Sequence, residues 1–186
     1  MAEVDANTVI RQHLRRFFAR HACQEHQWTL GPAVKELPRL RVAEFAPGPK
    51  TGLWVYATIG AWEARDDLRL EFLIAAPERD QRHVEPATMT AWYHGRYGLG
   101  AGHTYPIGEP WLPGSTCEFF LVTLPYPFGP ELEVCCLSDW NLHVLWLLPI
   151  TAAEREFKVR EGVEALEQRF DACALKYWPP DRASAV

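Results

Sequence analysis

Between Asn141 and Phe157 the chain reads NLHVLWLLPITAAEREF, and no other stretch restricts the fold so tightly. Leu142 to Leu148 is apolar apart from His143, the composition of a strand covered on both faces. Trp146 at its centre is therefore expected inside the core, and His143 as a hydrogen-bonded core histidine. Pro149 lacks the amide that extends a ladder and is expected to end the strand. Thr151 followed by Glu154 fits a capping box, in which the hydroxyl accepts from the Glu154 amide and the carboxylate reaches back to the Thr151 amide. A helix must start there, within three residues of the strand. Val159, Val163, Leu166, Phe170 and Cys173 follow at spacings of four and three, one apolar stripe able to lie back on the strand. Pro179 and Pro180 stop it.

The rest of the chain is read by the same periodicities. Asp5 or Asn7 caps a first helix whose Ile10, Leu14, Phe17 and Phe18 share a face. Leu37 to Phe45 reads as a strand, and Pro47, Gly48, Pro49 and Gly52 turn it into a second, Leu53 to Trp62. Arg65, Asp66 and Asp67 lead to Leu68 to Ala75, where Leu68, Leu70, Phe72 and Ile74 alternate with Arg69 and Glu71, the pattern of a half-buried antiparallel strand. Pro86, Ala87, Met89, Ala91 and Trp92 fit a helix from Glu85 to His94. From Gly95 to Ser115 glycines and prolines are too dense for regular structure, and a loop of that length inside a compact domain is often functional. Phe119 to Leu124, Leu132 to Leu137 and Leu142 to Leu148 complete the strands. The class is α+β: a mixed, largely antiparallel sheet packed with an N-terminal, a middle and a C-terminal helix. A length of 186 residues suits one domain, 1–186.

A net charge of -5, from 24 acids against 19 bases, argues against nucleic acid as partner, which calls for a basic face. Arg11, Arg15, Arg16 and Arg20 form the one local basic run and read as a solvated helix face. Cys23, Cys117, Cys135, Cys136 and Cys173 are odd in number without CxxC spacing, so they read as reduced core cysteines, with no disulfide framework. MAEVDANTVIRQH has no cationic start followed by an apolar stretch, and no segment has the length to cross a bilayer, so a cytoplasmic protein without membrane association is expected.

Chemistry is sparse. Gly98, Gly100 and Gly102 mimic a nucleotide-binding fingerprint, yet no strand leads into them and no Lys-Ser or Lys-Thr follows. Ser115, Ser138 and Ser184 lack the GxSxG setting of a nucleophile. Cys117 and Cys135 lie in apolar runs that raise a thiol pKa, which weakens any pairing with His103 or His143. His83, His94 and His103 are dispersed, and no HExxH pair sets two imidazoles on one helix face, so neither metal nor cofactor is expected. Asp66 and Asp67 read as a solvated bend. Aromatic density beyond what a core needs remains at Trp92, Tyr93, Tyr97, Tyr105, Trp111, Tyr126 and Phe128. Rigid aromatics beside glycines suit recognition of protein or extended peptide, and Tyr93, Tyr97, His103, Tyr105 and Trp111 are the candidate partner-binding residues. The competing reading is a small enzyme centred on His103 with a nearby acid or thiol.

The segment LWLLPIT with GVEALEQRF resembles the suppressor of fused family in its bacterial single-domain form. So do LGAGHTYPIGEPWLPGS from Leu99 to Ser115, LPYPFGPELE from Leu124 to Glu133, and the tail Asp181, Arg182, Ala183, Ser184. The resemblance covers nearly the whole chain. It implies a non-enzymatic binding module: the animal members hold transcription factors by gripping an extended peptide, partly by strand addition. Bacterial relatives are associated with polymorphic toxin loci, which implies an immunity protein neutralising a cognate toxin. Ala91, Trp92 and Tyr93 match the family's Ala-x-Tyr sequence, and Tyr93 carries over as a contact. The second domain that closes over the peptide in animals has no counterpart here.

Overall fold

The computed structural model describes residues 5–186; the first four residues, which open the segment read for a leader, lie outside it. The chain forms two compact units, one comprising the residues up to Leu99 with Leu124–Trp146, the other Gly100–Thr123 with Leu147–Val186. The fold class is α+β with a largely antiparallel sheet.

In the first unit, helix α1 (Ala6–Phe17) is followed by β1 (Cys23–His26), α2 (Ala33–Glu36), β2 (Arg41–Phe45), β3 (Trp54–Ile59), a 3-10 turn (Ala61–Ala64), β4 (Leu70–Ala76) and α3 (Val84–Tyr97). After Leu124 come α4 (Pro130–Glu133), β7 (Val134–Cys136) and the first part of β8 (Asn141–Thr151). The strands run in the order β1-β2-β3-β4-β8, with β7 also on β8. Pairings are antiparallel except β4 with β8, where Leu70 to Leu73 run parallel to His143 to Trp146. The alternation in β4 therefore misleads. All seven residues are buried, Glu71 included, because a strand between two others with both faces covered has no wet side. Helix α1 buries Ile10, Leu14, Phe17 and Phe18, the last against Phe45 with ring centroids 4.7 Å apart. Helix α3 packs on the sheet through Val84, Ala87, Thr88, Ala91 and His94, spaced by three and four.

In the second unit, the end of β8 neighbours β6 (Cys117–Thr123), which pairs antiparallel with β5 (Thr104–Pro106). Strand β5 lies inside the segment expected to be irregular. Its ladder is supplied by β6 across Thr104↔Leu121 to Pro106↔Phe119, a long-range pairing that local propensity does not register. Helices α5 (Ala152–Glu161) and α6 (Val163–Ala172) pack on each other, and α5 on β6.

Several expectations are corrected. Pro149 does not end β8, which runs through it to Thr151; its carbonyl accepts from Arg182 instead. The single C-terminal helix is two, broken at Gly162, whose φ of 94° lies where an L side chain is strained. The break ends the stripe's phase, so Val159 is 66% exposed and Cys173 exposed while Leu166 and Phe170 are buried. His143 is an exposed residue near the start of β8, its Nδ1 3.2 Å from Glu133 Oε1, because β8 is half wet before Val144. Cys136 and Cys173 are exposed, and only Cys117 and Cys135 are buried. Of the arginine run, Arg11 grips Glu25 at 2.6 and 3.0 Å, with Arg15 at 3.3 Å, so part of that face is occupied by β1.

Candidate functional site

The first unit carries an open cleft of about 570 Å³ between α2, the 3-10 turn and α3, lined by Glu36, Leu37, Glu63, Ala64, Trp92 and Arg96, with Tyr97 at its rim. Each wall follows from local chemistry. Successive turns of α3 bring Trp92 and Arg96 together, and the guanidinium sits 4.7 Å above the indole ring. Arg96 also donates to Glu36 at 2.8 Å, and the Trp92 indole and Arg96 beside it hold the Glu36 carboxyl below its usual range. One turn apart on the same helix, Tyr93 and Tyr97 pack ring to ring at 4.3 Å. Tyr97 is 66% exposed, a large aromatic held in one orientation by its neighbour and open to solvent.

The opposite wall depends on a buried carboxylate. Glu71 Oε1 accepts from the amides of Gly60 at 2.8 Å and Trp62 at 3.4 Å, and Oε2 from the Ala61 amide at 3.1 Å and the Thr58 hydroxyl at 2.5 Å. These donors hold the start of the 3-10 turn, where Gly60 has φ 103° and a Cβ would stand 3.4 Å from the Leu40 Cα. Burial pushes the Glu71 carboxyl up to about 7 despite the four donors. Asn7 braces the same turn: its Oδ1 accepts from the Trp62 indole at 2.8 Å and its Nδ2 donates to Glu63 at 2.9 Å.

The second unit holds His103, Tyr105 and Trp111. His103 is exposed, and its Nδ1 accepts from the Gly100 amide at 3.2 Å, closing the turn before β5. Among the described residues no carboxylate or thiol is hydrogen-bonded to it, and a His-centred enzyme requires such a pairing. Tyr105 packs on Phe120 at 5.8 Å and is 9% exposed; Trp111 is 5% exposed, its amide donating to the Cys117 carbonyl at 3.1 Å. Both rings are used in packing, so the recognition surface drawn from the glycine-rich segment does not present them. Burial pushes the Cys117 thiol up and the Cys135 thiol to about 11. His83 is lowered to about 4 by burial, while His94 Nε2 bonds the Leu68 carbonyl at 2.8 Å. Among the described residues no group of three or more His, Cys, Asp or Glu could hold a metal ion, and no helix is long and apolar enough to cross a membrane.

At the end of β8 the capping box is complete, Thr151 N to Glu154 Oε2 at 2.8 Å and Glu154 N to Thr151 Oγ1 at 3.2 Å. The tail closes over it. Arg182 donates to both Glu154 oxygens at 2.6 and 2.7 Å, and the Ala185 amide adds a third contact at 2.9 Å. Glu36, Glu63, Glu71 and Arg96 were invisible to sequence reasoning as parts of one cleft. The helix expected to stop at His94 runs on to Tyr97, and that last turn is what sets Arg96 and Tyr97 on the cleft.

The family model for the suppressor of fused protein matches residues 36–183. A suppressor of fused homologue from Neisseria gonorrhoeae FA 1090 is 36% identical, with 98% of this chain and 97% of that one covered at a TM-score of 0.87. Two further structures share the fold at low identity. One is that of a Sufu-Fu complex, 14% identical over 98% of this chain and 93% of that one, TM-score 0.68. The other is Drosophila Suppressor of Fused, 13% identical over 97% of this chain and 51% of that one, TM-score 0.71. No curated protein matches the chain.

Proposed function

The chain belongs to the suppressor of fused family, and on that footing we propose that residues 1–186 act as a single non-enzymatic domain that binds an extended segment of a protein partner. The observation that carries this reading is the exposed Tyr97, braced by Tyr93 at the rim of an open cleft, one wall of which is held by the buried hydrogen bonds of Glu71. A pre-ordered aromatic gains buried area on binding with little further loss of rotamer freedom, the usual make-up of an interface anchor. A family fold solved as a Sufu-Fu complex supports a protein as the partner. The resemblance to bacterial members further supports a cytoplasmic immunity role, with a cognate toxin as that partner.

The test is affinity capture from the native cell, followed by calorimetry on the recovered partner with Tyr97→Ala and Tyr93→Ala proteins of unchanged circular dichroism. Each truncation is expected to cost about 2 kcal/mol or more, a roughly 30-fold loss of affinity. Full affinity in both variants would overturn the cleft as the binding surface. Loss of cellular function in His103→Gln with affinity intact would instead restore the enzymatic reading. For the immunity role, co-expression with the product of the adjacent gene is expected to relieve its toxicity, and no relief would remove the toxin as partner.

A further inference from the structure

The Glu71 site is built for two protonation states. Every donor around the carboxylate is a backbone amide except Thr58, whose hydroxyl lies 2.5 Å from Glu71 Oε2 and 3.3 Å from the Phe72 carbonyl, while the Phe72 amide donates to the hydroxyl oxygen at 2.8 Å. With Glu71 ionised, Thr58 donates to it and all four bonds are charge-assisted, roughly twice as strong as neutral ones. A proton taken from solvent onto Oε2 reverses one bond. Glu71 then donates to the Thr58 oxygen, Thr58 turns its hydrogen to the Phe72 carbonyl, and the Ala61 amide loses its anionic acceptor. Oε1 keeps Gly60 and Trp62 through weaker neutral bonds.

We propose that Glu71 is a protonation-dependent anchor that sets how firmly the Gly60–Trp62 turn, and with it the Glu63 and Ala64 wall of the cleft, is held. Among the described residues no cation pairs with the carboxylate, so neither state is locked. Cys135 of β7 lies within electrostatic reach of Glu71, and its thiol, pushed up to about 11 by burial first, stays neutral. The other ionisable groups nearby are engaged elsewhere. Glu63 in the turn is held by Asn7 and lies 3.4 Å from Arg39. Arg69, just before β4, lies 4.2 Å over Trp140 and 6.0 Å from Trp62. His13 of α1 bonds the Leu132 carbonyl, and His143 of β8 faces Glu133. Burial, opposed by the four donors, pushes the carboxyl up to about 7, so both states are accessible near neutral pH.

The consequence for a partner rests on the cleft reading above; the anchor itself is tested on the protein alone, so the two fail separately. The experiment is an NMR titration of isotope-labelled protein between about pH 5 and 9, following Glu71 Cδ and the amides of Gly60, Ala61 and Trp62. Glu71 Cδ is expected to titrate with a midpoint near 7, the three amides to move with the same midpoint, and Ala61 to move furthest. In Glu71→Gln the amide titration is expected to vanish, while the Arg82 amide, which donates to Asp80, behaves as in wild type. Thr58→Val removes a donor to the anion and is expected to raise the midpoint. A Glu71 Cδ fixed in one state across the range overturns the proposal, as do amides that titrate with another midpoint or persist in Glu71→Gln. If Glu71→Gln does not fold, agreement or disagreement of the wild-type Cδ and amide midpoints decides alone. An unmoved midpoint in Thr58→Val overturns the exchange through the hydroxyl.

Discussion

Replacing Arg182 by Met keeps an unbranched apolar stem and removes the charged guanidinium, leaving Glu154 stranded. The side chains of this pair are 4% and 0% exposed, so solvent cannot screen the loss. Glu154 loses the Arg182 bonds at 2.6 and 2.7 Å and keeps two backbone donors, Thr151 and Ala185. Breaking a buried ion pair from one side costs about 3–5 kcal/mol. With a urea slope of about 3 kcal/mol/M, the midpoint should fall by roughly 1–1.7 M at neutral pH. The pH dependence carries a sign. In wild type, Arg182 and the backbone donors hold the Glu154 carboxyl below its ordinary value against the opposing effect of burial. The pair's contribution is therefore full above the unfolded pKa and lost as pH falls through the folded one. Without Arg182, burial acts unopposed by a cation and Glu154 gains by taking a proton, so wild type and variant should converge in acid. Glu154→Gln with Arg182→Met should lose less than the two single changes added, because neither charge is then left alone. Urea unfolding followed by circular dichroism measures all of this. A loss under about 1 kcal/mol in Arg182→Met, or strict additivity in the double variant, would refute the claim that the tail is held by a buried charge pair.

Thr151→Ala should cost about 1 kcal/mol of stability by deleting the hydroxyl half of the capping box, and an unmoved denaturation midpoint would contradict it. Trp146→Ala should cost about 3–5 kcal/mol, since the ring is 4% exposed and leaves a cavity that the sheet closes only in part; a cost near zero would show that the site collapses freely. Gly60→Ala should cost about 1–3 kcal/mol from backbone strain at φ 103°, and should alter the near-ultraviolet signal of Trp62 more than a core truncation of equal cost would.

What the sequence discloses and conceals follows from how local each cause is. The start of α5 is legible because the capping box is closed by residues three apart, and α1 because Ile10, Leu14, Phe17 and Phe18 need only a surface to lie on. Strand β1 is hidden: Cys-Gln-Glu-His has neither alternation nor β-branched residues, and it is extended because Val42 to Phe45 offer a ladder. Glu71 is hidden more deeply. Its place between Leu70 and Phe72 reads as the outward phase of a strand, and the donors that let it be buried lie 9 to 13 residues earlier in the chain. Tyr93, Tyr97, Tyr105 and Trp111 look alike as aromatics among glycines. Which are exposed is decided by strand pairing at β5 and by helix register at α3, neither of them encoded in aromatic density.

Two glutamates buried to 0% exposure, one in each unit, show why burial alone does not predict what a carboxylate does. Glu154 has a guanidinium on both oxygens, and its carboxyl is lowered. Glu71 has four donors and, among the described residues, no cation, and its carboxyl is raised to about 7. Hydrogen bonds from neutral donors soften desolvation of an anion, whereas a bidentate cation reverses it. The linkage signs are therefore opposite. Glu154 adds stability above its unfolded pKa and loses it in acid, while the Glu71 contribution is fullest below its unfolded pKa and declines as pH rises through about 7. A carboxylate meant only to fasten a tail needs the first arrangement. The second costs stability at neutral pH and is hard to explain as fastening alone, since a protonated or amide side chain would meet Gly60 and Trp62 without that cost. Such an arrangement is intelligible where the turn it holds has to respond, and that turn forms a wall of the cleft.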